Sequence, residues 1–238
     1  MSWDDYQSND RMTIPSSMPA ERVAFIRRTY AHLAGALAAF VLLEFLLFRT
    51  ALPYAMAEFA MSGQYNWLLV LGGFIVIGWI ARAFATNVTN RPAQYVGLGL
   101  YVIGEAIIFA PLILIALVVS KSGDILIQAA LMTGALFTGL TVVVFVTGKD
   151  FSFLRTFLVV GGIAAIGLIA SGAIFGFDLG FVFSAGMIVL ACASILYDTS
   201  KIIHNFETDQ HVAAALELFA SIALLLWYVI RILLRARR

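Results

Sequence analysis

The chain has 238 residues, 62% of them hydrophobic and 12% charged, with a formal net charge of +1 and a mean hydropathy of +0.96. Soluble domains carry roughly 25% charged residues, and a globule of this size leaves too much surface in water to hide so much apolar area, so a soluble fold is excluded and an all-α integral membrane protein is implied. The lack of a basic stripe away from the membrane flanks excludes nucleic acid as a partner, and the single cysteine, Cys192, excludes an intrachain disulfide and a cysteine-rich metal site.

Residues 1–28, ending in "ERVAFIRR", are polar and mixed in charge. They lack the short apolar core and small-residue cleavage site of a signal peptide, and are read as a cytoplasmic N-terminal tail. A transmembrane domain over 29–234 follows, with a basic tail at 235–238. A bilayer crossing needs about 20 apolar residues, and seven stretches meet that length: 29–48, 66–85, 94–119, 125–148, 156–176, 181–203 and 213–234. The longest connection, 49–65, is read as a loop. In the fifth span Gly172 and Gly176 form a GxxxG spacing, which predicts close packing inside the bundle or, alternatively, a homodimer face.

Lysine and arginine positions set the orientation. With the N-terminus in the cytoplasm, that side holds Arg11, Arg22, Arg27, Arg28, Arg82, Arg91, Lys149, Arg155 and Lys201, nine in all, against Arg49 and Lys121 opposite. The basic ending "RILLRARR" then lies outside, against the rule. Either the last span crosses regardless, or one segment is re-entrant.

Charges inside the spans cost ~2.5–3.5 kcal/mol at the bilayer centre and less near its edges, so depth decides which need a partner. Lys201 and Arg231 are close enough to span ends to snorkel, and Glu44 is placed to do the same at the outer end of the first span. Glu105 lies about 11 residues into the third span, roughly 16 Å deep, where only a polar neighbour or a wet cavity can accommodate it. Asp198 is about five residues from the cytoplasmic end of the sixth span, near a helix C-terminus whose dipole disfavours a negative charge. Glu217, about four residues into the seventh span, and Arg82, three before the end of the second, sit at a similar level. The three either meet or are unrelated interfacial charges.

Four stretches carry a family resemblance: "RRTYAHLAG", "NRPAQYVGLGLYVIGEAIIFAPLI", "TGKDFSFLRTFL" and "SILYDTSKIIH". In order and spacing the chain resembles the transmembrane Bax-inhibitor-motif (Bax inhibitor) family from about residue 25 onward. The resemblance implies two helix layers around a central C-terminal helix. It implies, for bacterial members, a pH-sensitive calcium leak channel in which an aspartate of the sixth helix pairs with one of the seventh and an arginine of the second binds the pair. Other members are associated with suppressing cell death or restraining a membrane-bound ATP-dependent protease. Asp198 matches the first aspartate and Arg82 the arginine. Ser221, in "LELFASIAL", stands where the second aspartate is expected. Glu217, one turn earlier on the same face, either replaces that aspartate or is an N-terminal glutamate favoured by the helix dipole.

The expected function is a proton-sensitive cation pathway with Glu105 along it and Asp198, Glu217, Arg82 and Ser221 as its sensing and gating set. Calcium is the expected permeant ion, because oxygen ligands suit hard cations. The alternative is a non-transporting regulator of other membrane proteins, such as that protease. No cofactor, no resident metal and no enzymatic activity are expected: Ser171 lies in "LIASGAIF" rather than a G-x-S-G setting, H-E-x-x-H is absent, and 213–234 holds no lysine for a retinal. The compact layout resembles bacterial members, which places the chain in the plasma membrane.

Overall fold

Seven helices long and apolar enough to cross a bilayer carry the chain. The computed structural model describes residues 20–237 apart from 64, 88 and 122. Its elements are α1 (Ala20–Leu47), α2 (Leu52–Ser62), α3 (Asn66–Ala85), α4 (Arg91–Ser120), α5 (Asp124–Thr147), α6 (Leu154–Phe175), α7 (Gly180–His204) and α8 (His211–Ala236). All but α2 are span candidates, and each expected span has its helix. Expectations for residues 1–19, including Arg11, fall outside the described residues, as does Arg238. The segment assigned to the tail is helical from Ala20.

Local chemistry fixes several boundaries. Asn90 caps α4 by accepting from the Ala93 N–H at 3.1 Å, and Pro92 follows in the first turn, where its missing N–H is harmless. The segment 49–65, read as a loop, contains α2. Pro53 sits in its first turn for the same reason, and 11 residues are too few to cross a bilayer. Gly148 and Gly176 end α5 and α6 in the left-handed conformation. Gly176 is therefore a helix terminator and not half of a packing motif. Gly172 alone of the pair is buried, with room for little more than hydrogen against the Phe177 carbonyl.

The core is organised around α8, which is apolar on nearly every face. Its most apolar stretch is 78% buried, against 11% for α6. One group of helices, α1, α3 and α4, and another, α5 and α7, pack about it; α6 lies mainly against α7, touches α3 only lightly and joins α8 through the small cluster of Ala165, Met187, Leu190 and Tyr228. Rings knit the first group to α8: Phe40 of α1 and Tyr101 of α4 both meet Phe219 edge-on.

The bundle has two ends. The start of α1 shares one with the connections 86–90, 148–153 and 205–210; this is called the near end. There Arg22 donates from Nη1 to the Phe206 carbonyl at 2.5 Å, tying α1 to the end of α7. The α6–α7 connection lies at the far end. Arg235, in the last turn of α8, donates to both carboxylate oxygens of Asp178 in that connection, at 2.5 and 2.7 Å. Twenty-six unbroken residues, about 39 Å of helix, separate the ends of α8. The last span therefore crosses, and the re-entrant alternative is set aside.

α3 and α4 approach each other closely. A Cβ at Gly97 would fall 2.4 Å from the Ala81 carbonyl oxygen and 2.6 Å from the Ala85 nitrogen. Both neighbours are backbone, so the helices would have to separate. Gly97→Ala is expected to cost about 1–3 kcal/mol, read as a lowered thermal unfolding temperature in detergent. Gly72→Ala, which meets no atom within 4 Å, is expected to leave that temperature unchanged or raise it.

Candidate functional site

Helical spacing brings a polar stripe onto one face of α7. Ser194, Asp198 and Lys201 follow at intervals of four and three and so point the same way. On α8, Glu217 and Ser221 are four apart and face them. The two helices run antiparallel, which sets the stripes in register as two layers. In the deeper layer Ser221 Oγ donates to Asp198 Oδ2 at 2.5 Å. Ser194 Oγ lies 2.7 Å from Ser221 Oγ and 3.4 Å from Asp198 Oδ2. Each hydroxyl has one proton. Ser221 gives its proton to the carboxylate, so Ser194 fills the short contact, and the chain runs Ser194 to Ser221 to Asp198. One turn nearer the near end, Lys201 Nζ pairs with Glu217 Oε2 at 2.5 Å. The lysine also lies over the Phe206 ring, 4.7 Å from its centroid.

Arg82 sits elsewhere. Its side chain runs back along α3 beside Gly78, next to the Tyr101 ring. The guanidinium carbon lies 5.6 Å from the Tyr101 centroid. Tyr101 and Glu105 are one turn apart on α4, and Tyr101 and Arg82 are the polar neighbours of the buried Glu105 carboxylate. Glu105 thus faces the bundle interior, as its depth requires.

The expected closure of Asp198 with Arg82 and Glu217 takes a different form. Among the described residues Arg82 makes no ion pair; its side chain is drawn toward Glu105. Glu217 is engaged by Lys201, and the hydrogen bond to Asp198 comes from Ser221. Glu217 and Lys201 remain electrostatic neighbours of Asp198. Lys201 is not turned out to the interface as its depth alone suggested. Glu44 does not snorkel either. It ends the inward row Phe25, Thr29, Leu33, Ala36, Phe40 on α1, is 7% exposed, and has no hydrogen-bond partner for either oxygen among the described residues. Helix register turns it inward.

One cavity of about 1060 Å³ joins these groups. It is bounded by α3, α4, α6, α7 and α8. Lys201, Glu217, Asp198 and Ser221 line it toward the near end, Arg82 and Glu105 line its middle, and Asp178 and Arg231 line the far end. A second clasp lies just outside it. Ser200 Oγ accepts from the Phe151 N–H at 2.9 Å and lies 3.3 Å from Asp150 Oδ1, holding the α5–α6 connection against α7.

The two layers differ in exposure, which ranks their contributions. Asp198 is 6% exposed, and Ser221→Ala would leave it only the long contact from Ser194. Such a loss at a buried charged acceptor is expected to cost about 1–3 kcal/mol. The Lys201 and Glu217 side chains are 23% and 26% exposed, so Lys201→Met is expected to cost less, about 0.2–1 kcal/mol. Thermal unfolding in detergent checks the order. A larger drop for Lys201→Met would place the dominant contact in the outer layer.

The chain is similar to several known proteins. An uncharacterized protein of Pseudomonas aeruginosa is 29% identical over 83% of this chain and 82% of its own length. The Arabidopsis thaliana protein LIFEGUARD 4 is 30% identical over 56% of this chain and 54% of its own. The Golgi anti-apoptotic protein of vaccinia virus strain Lister is 25% identical over 97% and 92%. The family model described as inhibitor of apoptosis-promoting Bax1 matches residues 22–238, that is, all seven spans and both polar layers, and the chain belongs to the Bax inhibitor family of multi-pass membrane proteins.

Proposed function

We propose that the chain is a pH-sensitive cation leak pathway with calcium as its permeant ion, acting without cofactor or catalysis. The observation that carries this reading is the single cavity that reaches acidic groups at three levels: Glu217 with Asp198, then Glu105, then Asp178. Oxygen donors spaced along a path suit a hard cation that binds weakly and moves on. The Lys201–Glu217 ion pair closes the near mouth in this reading, and an ion passes only when that pair opens. Asp198 is the group whose charge sets the field behind the pair, with Ser221 as its donor. Arg82 balances Glu105 and keeps the middle from trapping the ion.

Ser221 gives this chain a weaker sensor than two facing aspartates would. Two carboxylates sharing a site hold one proton between them and titrate as a pair, whereas a serine has no such proton to release. Calcium flux into liposomes holding the purified protein, measured between pH 6 and 8, tests the reading. Wild type is expected to conduct with a shallow pH response, and Asp198→Asn is expected to flatten it. Ser221→Asp is expected to steepen the response by restoring a pair. Glu217→Gln frees Lys201 and is expected to raise basal flux severalfold. No flux from wild type at any pH would overturn the pathway and favour the alternative, a non-transporting regulator of another membrane protein such as an ATP-dependent protease.

We further propose a bacterial plasma-membrane location with the near end in the cytoplasm. The nine-to-two bias supports it, and every member of the nine within the described residues belongs to the near-side part of its helix or connection, Arg82 with its side chain turned back into the bundle. Reporter fusions after Thr86, Lys149 and His204 are expected to read cytoplasmic. Opposite signals at two of the three would reverse the orientation.

A further inference from the structure

The far half of the cavity has features that ion passage does not need. Beyond the level of Arg82 and Glu105 its walls toward the far end are apolar, formed by α3 on one side and α6 on the other. These two helices barely touch, so the gap between them opens sideways, toward the bilayer. At its far end Arg231 of α8 lines the cavity, with its guanidinium carbon 5.7 Å from the Tyr228 centroid. Asp178 gives both oxygens to Arg235. Arg231 makes no ion pair among the described residues, with Asp178 as an electrostatic neighbour and the Tyr228 hydroxyl as a polar one. Beside it Trp67 and Trp227 stack with centroids 5.9 Å apart and planes 20° from parallel, a firm aromatic wall at headgroup level.

We propose that this crevice is a binding site for one anionic phospholipid of the surrounding bilayer, its phosphate on Arg231 and one acyl chain laid between α3 and α6. The dimensions agree. From Arg231 to Ala223 along α8 is eight residues, about 12 Å, which takes the greater part of an acyl chain and stops it short of Asp198. The crevice is the far part of a cavity of about 1060 Å³ in all, and the sideways opening lets the second chain stay in the bilayer. Charge selects the headgroup: an unpaired arginine at the interface favours a phospholipid with net negative charge over a zwitterionic one. The lipid would share the far part of the cavity with the pathway proposed above, but its test reads retained lipid and not flux, so the two can fail separately.

Two glycines make the site testable without disturbing the bundle. Gly162 of α6 and Gly72 of α3 both line the crevice, and a Cβ at either meets nothing within 4 Å. A phenylalanine at either position projects into the space the acyl chain would take. Full-length protein purified in mild detergent is incubated with phosphatidylglycerol or phosphatidylcholine of the same chains, and retained lipid is counted by native mass spectrometry. Wild type is expected to keep one phosphatidylglycerol with about fivefold preference over phosphatidylcholine. Arg231→Gln is expected to erase the preference while leaving residual binding of both, and Gly162→Phe to remove binding of both. If Gly162→Phe does not fold, Gly72→Phe blocks the crevice from the other wall. Retention by the blocked variant equal to wild type would overturn the site, as would a preference that survives Arg231→Gln.

Discussion

A carboxylate within the bilayer has to find a donor inside the protein, and Asp198 finds it on α8. That requirement fixes how the last two helices lie together. Ser221 reaches Asp198 at 2.5 Å only if α7 and α8 are antiparallel with those residues at one depth. The same register then delivers Lys201 to Glu217 one turn closer to the near end. A slip of one turn would break both contacts and leave charges of each sign in an apolar setting, where an unpaired ion is far more costly than a missing methyl contact. The apolar surround of α8 supplies most of the packing, but apolar contacts tolerate sliding. The two polar layers do not, and they select one arrangement.

The acids of the bundle are accommodated in different ways, and the difference separates sensing from support. Asp198 has hydroxyl donors and charged neighbours at the edge of a cavity. Glu105 shares its surroundings with Tyr101 and Arg82. Glu44 has neither donor nor cation among the described residues and lies outside the cavity lining. A group that lines a cavity can exchange protons and ions with what enters it, whereas one sealed in packing cannot do so without the helices parting. For that reason the proposed pathway is built on the first two and leaves Glu44 aside.

Much of this was legible in the sequence. The spans followed from apolar length, the inward placement of Glu105 from its depth, and the meeting of the sixth and seventh spans at Asp198 from the family motif. Charge depth alone misplaced Lys201 and Glu44, because depth says how costly a charge is and not which way it points. Angular position would have corrected both. Ser194, Asp198 and Lys201 fall on one face of α7, and Glu44 continues the apolar row of α1. The course of the Arg82 side chain was not legible. It depends on the ring of Tyr101 on the next helix, a contact between helices that no local pattern encodes. The helix α2 was hidden for a related reason: its 11 residues are too short to show a period above the apolar background.

α6 is held mainly at its ends, and its fastenings bear on where a response near neutral pH can originate. At the near end the hydroxyl and then the backbone N–H of Ser152 hold Asp150 below its ordinary value of 3.8. At the far end the hydrogen bond from Arg235 does the same for Asp178. A carboxylate with a depressed folded-state pKa contributes stability that is complete above the unfolded value and fades as pH falls through the folded one. Both clasps therefore stay closed from alkaline conditions down to about pH 4, and neither changes between pH 6 and 8. The ends of α6 are fixed throughout that window. Any change of the cavity near neutral pH must then come from the interior layers or from near-end groups other than these clasps. His32, His204 and His211 lie at that end, and a response that survives replacement of all three belongs to the interior.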